Sequence, residues 1–412
     1  NMGIKHFFYW FRNNFKKNIK KLKKNETFED VSIDIDNLML DLNGIFHSST
    51  QKVYEYGKGK LPQRLLGTNR RKKMGGIKTQ IKVFEDVCME IENLLYISKP
   101  KKRLILCVDG PAPLSKQNQQ RQRRFKSASE KEEDEFNRFD SNSLTPGTMF
   151  MDYLTKYIDW YIKKSVSENP IWQNIDIIFS SEKIPGEGEH KIIKFIRKFG
   201  EKYDSYCIHG LDADLIMLAM GTHVPNFWIL REDLYSHNEF FVINIEKTRE
   251  ELASLMNWKK TTMDDIKNKD DEKEIQEKRD EVESYKPFNK EYAVNDFIFM
   301  CFMVGNDFLP HIPSLEIIEG SIDNMIEIYK NVCKTYGHLT RKRKDEIKFS
   351  KKSLTVFLGT ISRDEKSMLE DKLYKKDKFF PDLILEKNGK YKEDKWDINI
   401  ENYRKDYYEH NL

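Results

Sequence analysis

Seven carboxylates recur in one kind of place, where an apolar run gives way to a turn. Asp41 closes LMLDLNG, Asp109 closes LILCVDGPAP, and Glu187 and Glu189 follow IDIIFS in PGEGEH. Asp212 and Asp214 follow YCIHG in GLDAD, and Asp307 follows a long apolar helical pattern in VGNDFLPHIP. If the strands run parallel, their carboxyl ends share one sheet edge, where ligands of such sheets sit. Carboxylates gathered there repel one another and need a counter-charge. Mg²⁺, a hard cation that prefers oxygen ligands, supplies it, with Mn²⁺ able to take its place. No His/Cys cluster has zinc spacing. Two cations on one edge point to hydrolysis of a phosphodiester. Taken singly, each acid has a blander account, since an Asp after a strand often only caps the next helix. The joint pattern carries the chemistry.

The Glu187/Glu189 pair raises the same choice. KIIKFIRKF after it is amphipathic, with Ile192, Ile193, Phe195, Ile196 and Phe199 on the apolar side, so a helix is expected over 189–199. Acids suit a helix N-terminus. Residues two apart do not share a helix face, however, so the spacing predicts a turn that aims both carboxylates at one cleft.

After Asp109 comes KQNQQRQRRFK. A helix over 116–138 places Lys116, Gln120 and Arg123 on one face with Arg124 beside it. Lys, Gln and a forked Arg make a pocket for a terminal phosphate, a few residues from a candidate metal ligand. Without Asp109 nearby, a solvated basic face would be the better reading.

These residues need a frame. NLMLDLN (37–43), RLILCVDG (103–110), IDIIFS (175–180), YCIHGL (206–211), FWILR (227–231) and FFVINI (240–245) read as strands. Helical patterns alternate with them near 80–97, 147–166 and 213–220. That alternation predicts an α/β fold with a largely parallel twisted sheet flanked by helices. Further helices are expected over 291–308 and 314–335.

The 71 Lys/Arg and 67 Asp/Glu nearly cancel, leaving +4, so net charge alone does not argue for nucleic acid. Distribution is more telling: eight Lys/Arg and no acid in residues 1–24, but ten acids against six Lys/Arg in 261–286. The latter reads as a solvated helix or disordered insertion. Five scattered cysteines without CxxC pairing argue against a disulfide framework and for a reducing compartment. No apolar run reaches membrane-spanning length, and no membrane partner is expected.

The runs LMLDLNGIFH, CVDGPAPLSKQNQQRQRRF, IIFSSEKIPGEGEHKII, GLDADLIMLA and DFIFMCFMVGNDFLPHIPSLE resemble the Xrn/Rat-type 5′→3′ exoribonucleases, covering most of the chain to about residue 335. The resemblance implies a PIN/flap-nuclease-like core with a helical extension. It implies metal binding and catalysis by Asp41, Asp109, Glu187, Glu189, Asp212, Asp214 and Asp307. It implies a 5′-monophosphate pocket of Lys116, Gln120, Arg123 and Arg124, with His47 stacking on the terminal nucleotide. The expected partner is single-stranded RNA with a 5′-monophosphate, cut to nucleoside 5′-monophosphates. Capped or triphosphorylated ends would be rejected.

The expected organisation is an α/β nuclease core over 1–260, a charged insertion over 261–286, a helical continuation over 287–340 and a Lys-rich tail over 341–412. The tail resembles only the start of the family's second conserved region, so a reduced, truncated or viral member is expected. The lack of zinc-knuckle spacing favours the cytoplasmic branch, with a nuclear location left open. RKRK at 341–344 reads as a solvated basic turn rather than a nuclear signal. The rival readings are a flap-type endonuclease on the same core, a non-catalytic RNA 5′-end binder and a scaffold for RNA-decay partners. The KxxxQxxRR and GNDFLPH runs speak against the first, and the complete set of acids against the second.

Overall fold

The structure, a computed structural model, describes residues 4, 6–55, 76–114, 116–117, 120–121, 124–125, 139–201, 203–233, 239–266, 272–306, 311–344, 346–375 and 382–411. They form two compact units, Phe15–Thr248 and Asn1–Asn14 together with Arg249–Leu412.

The first unit holds a seven-stranded sheet: β1 (Ile19–Leu22), β2 (Asn37–Asp41), β3 (Arg103–Cys107), β4 (Asp176–Ser180), β5 (Tyr206–His209), β6 (Phe227–Glu232) and β7 (Phe240–Asn244). Their order is β1-β7-β6-β5-β2-β3-β4. Strands β4, β3, β2, β5 and β6 run parallel, while β7 is antiparallel to both β6 and β1. The expected α/β fold with a largely parallel sheet is what forms. All six expected strands are present, and β1 is an addition. Its IKKL sequence reads as polar because two of its four residues face solvent.

Side chains alternate across the sheet. Leu38 and Leu40 of β2 and Leu104 and Leu106 of β3 enter one core with the helices Leu42–Tyr54, Ile77–Ser98 and Met149–Glu168. The helix Gly188–Phe199 packs on β2 and β3, burying Ile192, Ile193 and Ile196. Each buried isoleucine is worth about 1.5–3 kcal/mol. The chain leaves β2 toward β3 and leaves β5 toward β6, in opposite directions. The carboxyl ends of β2 and β5 therefore flank a topological switch point, where crevices form.

In the second unit the aromatic helix Phe7–Asn14 buries Phe7, Trp10 and Phe11. Trp10 stacks on Phe297, and its Nε1 donates to Asp323 at 3.0 Å. Phe297 lies on the helix Lys290–Met303, shorter than the expected 291–308. The same helix carries Asp296, fully buried, which accepts from Leu339 N, Thr340 N, Thr340 Oγ1 and Tyr329 OH at 2.6–3.1 Å. Helices Trp258–Ile266 and Glu272–Ser284 run through the acidic stretch and bury Val282. The weakly patterned Lys-rich tail contains a helix of 25 residues, Lys351–Lys375, and a small core of Leu369, Leu373, Leu385, Ile398, Tyr403 and Tyr407. No helix among the described residues is long and apolar enough to cross a membrane.

Candidate active site

Register brings the first two acids together. Asp41 ends β2 opposite Cys107 of β3, and Asp109 lies two residues further on. Asp41 shares its side of the sheet with Met39, on the face covered by the Gly188–Phe199 helix. Its Oδ1 would lie 2.5 Å from any Cβ placed on Gly188. Gly186, two residues earlier, has φ +109, a conformation that side chains other than hydrogen rarely adopt. The two glycines of PGEGEH thus have separate reasons, a backbone turn and a close approach.

Glu187 is the N-cap residue of this helix, but its side chain makes no capping bond. Its Oε1 instead lies 2.9 Å from Lys116 Nζ, both residues being buried. Glu189 stands in the first helical turn, within the expected 189–199 helix, so the turn expected to carry both carboxylates holds only Glu187. His190 Nε2 lies 3.5 Å from Glu187 Oε2 and 3.9 Å from Glu189 Oε1. Glu187, Glu189 and His190 each offer a ligand atom within 4.8 Å of the others'.

The other acids use one oxygen locally. Asp109 Oδ1 accepts from Gly188 N at 2.6 Å, Asp41 Oδ1 from Asn43 N at 3.4 Å, and Asp212 Oδ1 from Asp214 N at 3.3 Å. Capping therefore occurs, as the bland account of single acids requires, but a carboxylate has a second oxygen. Glu189 Oε2 is buried and has no hydrogen-bond partner.

Electrostatics tie the group together. Burial first, then Asp109, and to a smaller extent Asp212 and Glu187, hold Asp41 well above the usual carboxylate range, against the Asn43 N–H. Burial first, then Asp212, Asp41, Glu187 and Asp214, does the same to Glu189. Burial also raises Asp109, assisted by Glu187 and opposed by the Gly188 N–H and by Lys116 and Lys191. Six of the seven expected acids are thus brought within electrostatic reach of one another. Asp307 lies outside the described residues.

In the expected phosphate pocket, Lys116, Gln120 and Arg124 are helical, and respectively buried, half-buried and exposed; Arg123 and most of the predicted 116–138 helix lie outside the described residues. His47 is half-buried on the helix that follows Asp41, and burial lowers its pKa.

Sequence reasoning missed two supports. Asn43 Oδ1 accepts the Asp109 N–H at 2.8 Å, and its place two residues after Asp41 was the available signal. Lys191 Nζ donates to Val108 O at 2.7 Å and Ser181 O at 2.9 Å, joining the ends of β3 and β4. Nothing in its sequence context distinguishes that lysine from its solvated neighbours.

The donor set fits a hard divalent cation. Its six acids offer carboxylate oxygens, two of them are held well above their ordinary pKa by burial and then by mutual repulsion, and one buried oxygen is unsatisfied.

Residues 2–233 match the family described as XRN 5'-3' exonuclease N-terminus, and residues 287–409 that described as Xrn1 helical domain. The chain belongs to the XRN 5'-3' exonuclease family. Among XRN relatives, the 5'-3' exoribonuclease 1 of Schizosaccharomyces pombe is 36% identical over 82% of this chain and 24% of its own length. The 5'-3' exoribonuclease 1 of Saccharomyces cerevisiae is 33% identical over 88% and 23%, and the 5'-3' exoribonuclease 2 of Candida albicans is 31% identical over 90% and 40%. The chain therefore spans about a quarter to two fifths of the length of these XRN relatives. The catalytic core of Rad2 in complex with DNA substrate covers 93% of this chain and 85% of its own at 14% identity and a TM-score of 0.41, too distant a likeness to carry an argument.

Proposed function

We propose that this chain degrades 5′-monophosphorylated single-stranded RNA from its 5′ end, releasing nucleoside 5′-monophosphates. The observation that carries the reading is the crowding of Asp41, Asp109, Glu187, Glu189, Asp212 and Asp214, with Lys116 paired to Glu187 at its border. Family membership supports it. In this reading the six acids, with Asp307, hold two Mg²⁺ ions, or Mn²⁺ in their place. When bound, such ions neutralise the carboxylates and supply the charge that favours water attack at phosphorus.

The chain's own groups do the rest. The Gly188 N–H and Asn43 fix Asp109 in place. Lys116, Gln120, Arg123 and Arg124 hold the terminal phosphate by charge-assisted hydrogen bonds, which sets the first phosphodiester beside the acids. A triphosphate would exceed that pocket. His47, kept neutral by burial, offers a flat ring for the terminal base. Action in cytoplasmic RNA decay belongs to the same proposal.

The test uses one RNA labelled at both ends, carrying a 5′-monophosphate or a 5′-triphosphate, in Mg²⁺ or EDTA. Mononucleotide release in Mg²⁺ from the monophosphate form, lost in Asp212→Ala, is the expected result. Cleavage at internal junctions would replace this reading with a flap-type endonuclease. Binding of monophosphorylated RNA without cleavage would replace it with an end-binding protein.

A further inference from the structure

The basic run at 341–344 is not a loop. It forms a hairpin, Thr340–Arg343 paired with Glu346–Phe349, and every described residue after Thr340 is exposed. Its foot is fixed. Thr340 bonds to buried Asp296 through N and Oγ1 at 2.7 and 2.6 Å, and the Phe349 ring meets Phe299 at 4.8 Å. Residues 341–352 hold seven Lys/Arg against Asp345 and Glu346.

Four features of this segment work against local stability. Arg341 stands directly opposite Lys348, and like charges so placed repel. Lys344 has φ +54 beside the turn, where Gly or Asn would be spared about 1–2 kcal/mol of left-handed strain. Lys351 and Lys352 open a helix whose first turn has no acid, at the end where the dipole disfavours cations. Ile347 and Phe349 remain 54% exposed. Glu346 pairs with Lys348 and offsets only part of the charge. Local choices that conflict with stability mark functional surfaces, and the two that are electrostatic, the Arg341/Lys348 pair and the lysines at the helix start, are relieved by a polyanion.

We propose that the Thr340–Phe349 hairpin, with Lys351 and Lys352, is a second binding surface for the RNA strand, gripping its phosphodiester backbone without reading sequence. This rests on the proposed action on RNA and adds a contact distinct from the 5′-phosphate pocket. The exposed Phe349 and Ile347 give bases an apolar surface beside the cations.

The experiment measures Kd by fluorescence anisotropy in EDTA over a salt series, with 5′-monophosphorylated RNAs of about 5 and about 30 nucleotides. The variant combines Arg341→Gln, Lys342→Gln, Arg343→Gln and Lys344→Gln; a second carries Arg341→Lys and Arg343→Lys. For the long RNA the first variant should lose affinity roughly tenfold, and its log–log salt slope should shrink by about 3, from roughly 0.7 per cation removed. The second variant should bind as the wild type. An unchanged slope, or equal weakening in both variants, overturns the hairpin contact alone. A wild-type chain that binds neither RNA overturns the proposed function with it.

Discussion

The two edges of the seven-stranded sheet use the same residue types to opposite ends. At the amino-terminal edge, Asp204 is 1% exposed, yet it accepts from Lys102 Nζ at 2.5 Å and from Arg103 Nη1 and Asn37 Nδ2 at 3.1 Å each. Burial pushes its carboxyl up, but Lys102, Asn37 and Arg103 more than offset it and leave the pKa below the usual value. Beside it Asp36 accepts from Ser205 N and Oγ at 2.9 and 3.0 Å. At the carboxyl-terminal edge, Asp41 and Glu189 are surrounded by further acids, and their pKa values move the other way. An acid count does not separate a structural network from a ligand site. What separates them is whether each carboxylate has its cation within the protein.

The comparison can be broken most sharply at Glu189. Glu189→Gln should lower the rate on 5′-monophosphorylated RNA by ~10³-fold, as expected for a lost ligand, while raising Tm in EDTA because a repelling charge is gone. A variant that keeps its activity, or that melts lower in EDTA, would place Glu189 in a structural network instead.

At the opposite edge, Asp204→Ala should cost about 2 kcal/mol in urea unfolding, since two cations lose their shared acceptor, with the cleavage rate of the folded fraction unchanged. A drop in that rate would erase the distinction between the edges.

Mg²⁺ should raise the melting temperature of the wild type, by the equivalent of about 2.7 kcal/mol at a hundredfold excess over Kd, and should not raise that of Asp212→Ala. Equal shifts in both proteins would mean the cation binds elsewhere.

The smallest effect is in pH. The folded pKa of Glu189 is raised, so its charge destabilises the fold above that value, and the penalty fades as pH falls through it toward the unfolded value. The stabilisation by Glu189→Gln in EDTA should therefore be largest at neutral pH and shrink on acidification. Asp204 has a lowered pKa, so its stabilising effect holds above its unfolded value and is lost only as pH falls through the lower folded one. The cost of Asp204→Ala should stay constant through neutral and mildly acidic pH. Parallel pH trends in the two variants would contradict the assigned charges.

Much of this contrast was legible in the chain. Buried parallel strands read as apolar runs, and acids after them fall on one edge by topology alone. The missed features depend on partners far away in sequence. Strand β1 forms because β7 offers it a ladder, through Ile19–Ile243 to Leu22–Phe240. The long tail helix hides its periodicity because its buried ladder, Ser353, Phe357, Ile361, Glu365, Leu369 and Leu373, includes a serine and a glutamate, the latter paired to Arg404. Lys191 gained a role only when two strand ends met beside it. The acidic stretch at 261–286, which reads as a solvated helix or a disordered insertion, holds helical segments that bury few apolar groups of their own.

Gly188 carries no functional group, yet a methyl group there would overlap Asp41. In a deep mutational scan it should therefore sort with the acids: intolerant of every replacement, with loss of activity exceeding loss of abundance. The spacing between a helix and a strand end is inherited here through the absence of one carbon atom. A search for distant kin that weighs only charged residues would pass over the position that keeps them in reach.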